Sequence, residues 1–148
     1  MKQLSLRTHN ILDYVIGSSL MATPFASGMT DVPAARNIFM TLGSGLIGYS
    51  LCTNYRYSVA KFIPIGVHMT MDVASGLTLM AAPFAFKYQK KLSPLQIGIH
   101  FLFGLGAIGL VTITRSRSET TATVKDRKEL GHHRMKGVAS AAGLKKFA

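Results

Sequence analysis

The chain has 148 residues, with 17 Lys and Arg against 6 Asp and Glu, a formal charge of +11, and yet 48% of it is hydrophobic. The length allows one domain, and a single cysteine excludes an internal disulfide framework and a thiolate zinc site. The apolar content and a mean hydropathy of +0.27 exclude a disordered basic chain and argue against the nucleic-acid binder that the charge alone would suggest.

The charges are segregated along the chain. Residues 14–30 carry none, and neither does the stretch 37–55. The stretch 62–86 carries one, Asp72, and the stretch 92–114 carries none. About 20 residues of helix cross a bilayer's hydrocarbon core. Four transmembrane helices are therefore expected, roughly at 8–27, 34–54, 62–86 and 93–114, the first taking in His9 and Asp13. The runs are too long for strands and lack period-two alternation. No small-residue cleavage site ends the first segment, so it is not read as a signal peptide.

Helix boundaries have their own markers. Pro24 and Pro83 fall near the far ends of the first and third helices, and Pro33 and Pro64 near the starts of the second and third. Ser93-Pro94 reads as N-cap and N1 of the fourth. Lys2, Arg7, Arg56 and Lys61 flank one side, as do nine basic residues in 115–148, against Arg36, Lys87, Lys90 and Lys91 on the other. That count places both termini in the cytoplasm of a multi-pass protein of the cell (inner) membrane.

Sliding the chain against itself until His9 meets His68, an offset of 59, exposes an internal repeat. Asp13 and Gly17 then meet Asp72 and Gly76. Leu20-Met21-Ala22 and Pro24-Phe25-Ala26 meet Leu79-Met80-Ala81 and Pro83-Phe84-Ala85. The same offset, without a gap, pairs Gly45 with Gly104, Thr53 with Thr112 and Arg56 with Arg115, for 15 identities in the 52 positions from Ser5. The expected fold is all-α: an integral membrane four-helix bundle of two parallel two-helix repeats, 5–56 and 64–115. Residues 1–116 form this domain and 117–148 a basic polar cytoplasmic tail. A pseudo-two-fold axis along the membrane normal relates the repeats.

The motif Asp13-x-x-x-Gly17-x-x-Leu20-x-x-Thr23-Pro24-Phe25 is followed by Ala34-Ala35-Arg36-Asn37 and Gly43. The second copy runs Asp72, Gly76, Leu79, Ala82-Pro83-Phe84. This pattern resembles the SPW-repeat family of small integral membrane proteins, with Pro-Phe in place of Pro-Trp and both motif serines replaced. The resemblance covers residues 5–116. It implies a multi-pass bacterial or archaeal membrane protein and no particular activity.

His9, Asp13, Gly17 and Met21 share one helix face, and His68, Asp72, Gly76 and Met80 repeat it. An ionised Asp at mid-membrane costs about 2.5–3.5 kcal/mol on insertion scales, so these stripes are expected to face inward. Three roles compete for His9, Asp13, His68 and Asp72. They tie the helices together by hydrogen bonds; or they bind a divalent metal or relay protons as a transporter or sensor; or His9 and His68 hold haem. The first carries no cofactor. It goes with a non-enzymatic membrane scaffold or partner-binding subunit, acting through self-association or another membrane protein.

Gly17, Gly76, Gly45, Gly48 and Gly104 are assigned to close helix packing. Arg56 and Arg115 are assigned as interface anchors that end their helices. No nucleophile with a His/Asp partner set in a suitable turn appears, so no catalytic residue is assigned. The basic segment 115–148 is expected to be solvated or to meet anionic lipid headgroups.

Overall fold

Ser5 opens the first helix, its hydroxyl accepting the Thr8 N–H at 3.1 Å as an N-cap. In the computed structural model, which describes residues 4–114, that helix (α1) spans Leu6–Ala26. It is followed by α2, Pro33–Cys52, by α3, Ile65–Ala85, and by α4, Pro94–Ile113. One 3-10 turn, Gln89–Lys91, precedes α4. No strand occurs among the described residues; the architecture is all-α, with four long helices.

Proline and serine set the starts as expected. Pro33 and Pro94 occupy the first turn, where a missing N–H leaves no bond unmade. Ser93 and Gln96 close a reciprocal capping box at α4. The Gln96 amide also donates to the Ser27 carbonyl at 2.8 Å, joining the start of α4 to the end of α1.

α1 and α3 end alike. Met29 N–H returns to the Pro24 carbonyl at 2.8 Å, and Tyr88 N–H to that of Pro83 at 3.0 Å. This closure needs a left-handed residue just past the helix. Gly28 (φ 70°) supplies it in the first repeat and Lys87 (φ 55°) in the second. The backbone repeats where the side chains do not.

The repeat is real in space but its offset is not uniform. α1 and α3 are related by an offset of 59, Leu6 to Ile65 and Ala26 to Ala85. α2 and α4 are related by an offset of 61, Pro33 to Pro94 and Cys52 to Ile113. The second turn, which contains the 3-10 helix, is longer by the difference. The ungapped pairing of Gly45 with Gly104 is therefore corrected: the partner of Gly104 is Gly43.

The packing explains why. A Cβ on Gly43 would lie 2.7 Å from the Gly17 carbonyl oxygen, and one on Gly104 2.6 Å from that of Gly76. In each repeat two helices touch backbone to backbone at a glycine pair. Gly17, Gly76 and Gly104 sit at these crossings. Gly45 and Gly48 do not: beyond the backbone of its own helix no atom lies within 4 Å of a Cβ placed on either, so their assignment to packing is withdrawn. Arg56 does not end a helix either. α2 stops at Cys52, and Arg56 is exposed in the following loop. Arg115 and the segment 117–148 lie outside the described residues.

The apolar core forms between the hairpins from Leu20, Met29, Phe39, Leu46, Leu79, Tyr88 and Leu92. Large apolar side chains are also plentiful outside: Leu102 is 70% exposed, Leu95 73% and Phe25 62%. α3 and α4 are long and apolar enough to cross a membrane.

Candidate metal centre

The polar end of the bundle lies where α1 and α3 begin and α2 and α4 end. Helical spacing puts His9 one turn before Asp13 and His68 one turn before Asp72. All four are buried, each no more than 5% exposed. They form a closed ring. His9 Nε2 lies 3.3 Å from Asp13 Oδ1 and 3.2 Å from Asp72 Oδ2. His68 Nε2 lies 3.3 Å from Asp13 Oδ2 and 3.2 Å from Asp72 Oδ2. One ligand atom from each residue falls within 4.8 Å of all the others.

The far side of each imidazole is held by a threonine. Thr53 Oγ1 is 2.9 Å from His68 Nδ1, and Thr114 Oγ1 is 2.7 Å from His9 Nδ1. Each threonine hydroxyl donates backward to its own helix, Thr53 to the Tyr49 carbonyl at 2.7 Å and Thr114 to the Leu110 carbonyl at 2.6 Å. With its hydrogen committed there, the oxygen can only accept. This assigns the hydrogen to Nδ1 on both rings and turns both Nε2 atoms toward the carboxylates.

The carboxylates are held too. Tyr49 donates its hydroxyl to Asp72 Oδ1 at 2.6 Å, and Ser50 donates to Asp13 Oδ2 at 3.2 Å. Asp72 therefore has one oxygen engaged by Tyr49 and the other facing both histidines.

Hydrogen bonding does not satisfy the ring. His9 Nε2 lies 3.2 Å from Asp72 Oδ2, a contact that is a hydrogen bond only when a proton sits between the two atoms. His68 Nε2 is fully buried and has no partner of adequate geometry, despite two carboxylates within 3.3 Å. Charge-assisted N–H···O bonds are commonly about 2.7–2.9 Å. The separations here are longer than that on every edge.

The loop after α2 covers this end. Ile63 N–H donates to the Cys52 carbonyl at 2.9 Å and Asn54 N–H to that of Ile63 at 3.0 Å, folding residues 53–63 back over the helix end. Tyr14 donates to the Tyr57 carbonyl at 3.2 Å, and Arg7 lies over the Tyr57 ring. Tyr55 is buried edge-to-face on His68 with ring centroids 4.9 Å apart. Burial first, then the Asp13 and Asp72 carboxylates, push its hydroxyl above the usual tyrosine range.

Haem does not fit. The His9 and His68 rings are 5.7 Å apart at their centroids. Asp13 and Asp72 occupy the space that a porphyrin between the two Nε2 atoms would need.

His100 belongs to a separate place. It is buried edge-to-face on Phe39, its Nδ1–H donates to the Gln96 carbonyl at 2.8 Å, and the Tyr88 hydroxyl is 3.1 Å from its Nε2. Burial pushes the Tyr88 hydroxyl up to about 12. Both ring nitrogens are used, so His100 is a satisfied core residue.

The pairing of His9, Asp13, His68 and Asp72 follows from their spacing. Tyr49, Ser50, Tyr55 and the role of the threonines do not. Thr114 is hidden by the uniform offset, which pairs Thr53 with Thr112. Over residues 33–53 an offset of 59 gives five identities (Ile38, Gly45, Leu46, Leu51, Thr53). An offset of 61 gives seven (Pro33, Ile38, Gly43, Gly45, Ile47, Gly48, Thr53) and leads to Thr114.

No family model, curated protein or solved structure matches the chain.

Proposed function

We propose that the protein is a multi-pass integral membrane protein that binds a divalent cation between its two helix-hairpin repeats. The observation that carries the cation is His68 Nε2, buried without a hydrogen-bond partner and facing two carboxylates. An unpaired buried polar group costs about 1–3 kcal/mol, and a cation bound between His68 Nε2 and the two carboxylates would remove that cost. Two carboxylates and a divalent cation sum to zero charge, the state that a low-dielectric interior tolerates best. The imidazole tautomers supply both free nitrogens.

The membrane reading is supported by an inverted distribution of polarity. Polar residues share the interior with the apolar core: His9, Asn10, Asp13, Ser50, His68, Asp72 and His100 are buried. Leucine and phenylalanine face out along α4. Outer hydroxyls are satisfied within their own helices, Ser19 to Val15, Thr23 to Ser19, Ser44 to Met40, Thr70 to Gly66 and Thr78 to Ala74. That suits a solvent that offers no hydrogen bonds. The resemblance to SPW-repeat proteins points the same way, and α1 and α2 match α3 and α4 in length. Both termini are placed in the cytoplasm, and the basic 115–148 segment is placed at anionic headgroups.

The role is cation handling, and no catalytic step is assigned. Protein purified in mild detergent is assayed for metal, alongside an Asp13→Asn/Asp72→Asn double variant. One divalent ion per chain, lost in the double variant with helical content kept, supports the proposal. Equal helical content and no metal uptake in either protein leaves only the structural staple.

A further inference from the structure

The two histidines, the two carboxylates and their supports carry more than the bare statement that a cation binds. We infer that the site selects a four-coordinate first-row transition-metal ion of the zinc class, held entirely by protein, and rejects magnesium and calcium. This rests on the cation-binding reading above and narrows it.

The ring's dimensions come first. Metal–ligand bonds of about 2.0–2.1 Å in a tetrahedral site put neighbouring ligand atoms about 3.3 Å apart. With Asp13 Oδ1 and Asp72 Oδ2 as the oxygen ligands, His9 Nε2 stands 3.3 and 3.2 Å from them and His68 Nε2 stands 3.2 Å from Asp72 Oδ2, and one ligand atom from each residue lies within 4.8 Å of the others, so the ion would draw the widest pair inward. Calcium ligands stand at about 2.3–2.6 Å and number six to eight, nearly all oxygen. Magnesium demands an octahedron and keeps several waters.

The ligand types agree. Two imidazole nitrogens suit zinc, copper, iron or nickel, whereas magnesium and calcium take carboxylate, carbonyl and water oxygen. The threonine supports are what metal-binding histidines use: the second ring nitrogen donates to a fixed acceptor, which sets tautomer and ring angle. Here the acceptor hydroxyl is itself pinned to a helix carbonyl.

The hydrogen bonds to the carboxylates favour one ligand oxygen from each. Tyr49 holds Asp72 Oδ1 at 2.6 Å, so Asp72 offers Oδ2 alone. Ser50 engages Asp13 Oδ2, the oxygen nearer His68, which leaves Oδ1 beside His9. Each carboxylate then supplies one oxygen, giving two nitrogens and two oxygens. Tyr55 from the 53–63 loop lies against both imidazoles, with ring centroids 4.9 Å from His68 and 6.1 Å from His9, and closes that side to further ligands.

Cobalt(II) distinguishes the outcomes, because its visible bands are intense in four-coordinate sites and weak in six-coordinate ones. The intact chain in detergent is stripped with chelator and titrated with cobalt(II), then challenged with zinc, magnesium or calcium. The expected result is one cobalt per chain with intense bands, abolished by stoichiometric zinc and unchanged by a thousandfold excess of magnesium or calcium. Bound cobalt with weak six-coordinate bands, or displacement by magnesium or calcium, overturns this inference and leaves cation binding standing. No cobalt uptake by helical protein overturns both.

Discussion

Thr114 Oγ1 lies 2.7 Å from His9 Nδ1, although the two stand at opposite ends of the bundle's sequence, and Thr53 stands in the same relation to His68 at 2.9 Å. The last residue described in the bundle thus supports the first of the four ring residues. The histidine ring angles depend on where α2 and α4 end, not only on α1 and α3.

Thr53→Val and Thr114→Val keep the side-chain shape and remove the acceptor. Each is expected to weaken metal affinity by about 10–100-fold while the helical circular dichroism signal is retained. Competition against a chelating indicator measures it. Unchanged affinity in both variants would mean that the threonines do not set the imidazoles.

The glycine crossings separate the two repeat offsets. Gly43→Ala and Gly104→Ala push a methyl into backbone 2.7 and 2.6 Å away, and should destabilise by about 1–3 kcal/mol. Gly45→Ala and Gly48→Ala meet open space and should stay within about 0.5 kcal/mol of the parent. Denaturant unfolding in detergent compares them. Damage at Gly45 equal to that at Gly43 would restore the single uniform offset.

Much of the fold can be read in the sequence, for identifiable reasons. Long charge-poor stretches mark all four helices. Proline and serine mark the starts of α2 and α4 within a residue or two. The His/Asp stripes recur with the period of a helix, so their meeting can be foreseen. The short insertion between α3 and α4 cannot be seen by sliding the chain at one offset. Glycine is common throughout, and Gly45 falls opposite Gly104 by coincidence. Crossing glycines differ from others only in what they touch. Tyr49 and Tyr55 reach the centre through the end of α2 and its loop, where no periodic pattern marks them.

Lys87 holds a left-handed backbone where the first repeat has Gly28. A left-handed conformation costs a residue with a Cβ about 1–2 kcal/mol. Lys87→Gly is therefore expected to raise stability by up to about 1 kcal/mol, read as a higher unfolding midpoint. A loss of stability would show that the Lys87 side chain contributes more than its backbone costs.

Membrane integration is tested by extraction. The protein should stay in the membrane pellet after alkaline carbonate washing and enter solution only with detergent. Release by carbonate would contradict the four-span arrangement. Protease added to intact cells should leave the 115–148 segment uncut, and cleavage there would reverse the orientation.

The central claim is that His9, Asp13, His68 and Asp72 hold a metal ion together. Its most direct test is elemental analysis of chelator-treated protein after reloading with zinc and gel filtration, for the parent and for Asp13→Asn/Asp72→Asn. One zinc per chain in the parent and none in the helical double variant is the predicted result. A helical parent that comes off the column without zinc, or a double variant that keeps as much zinc as the parent, would contradict it.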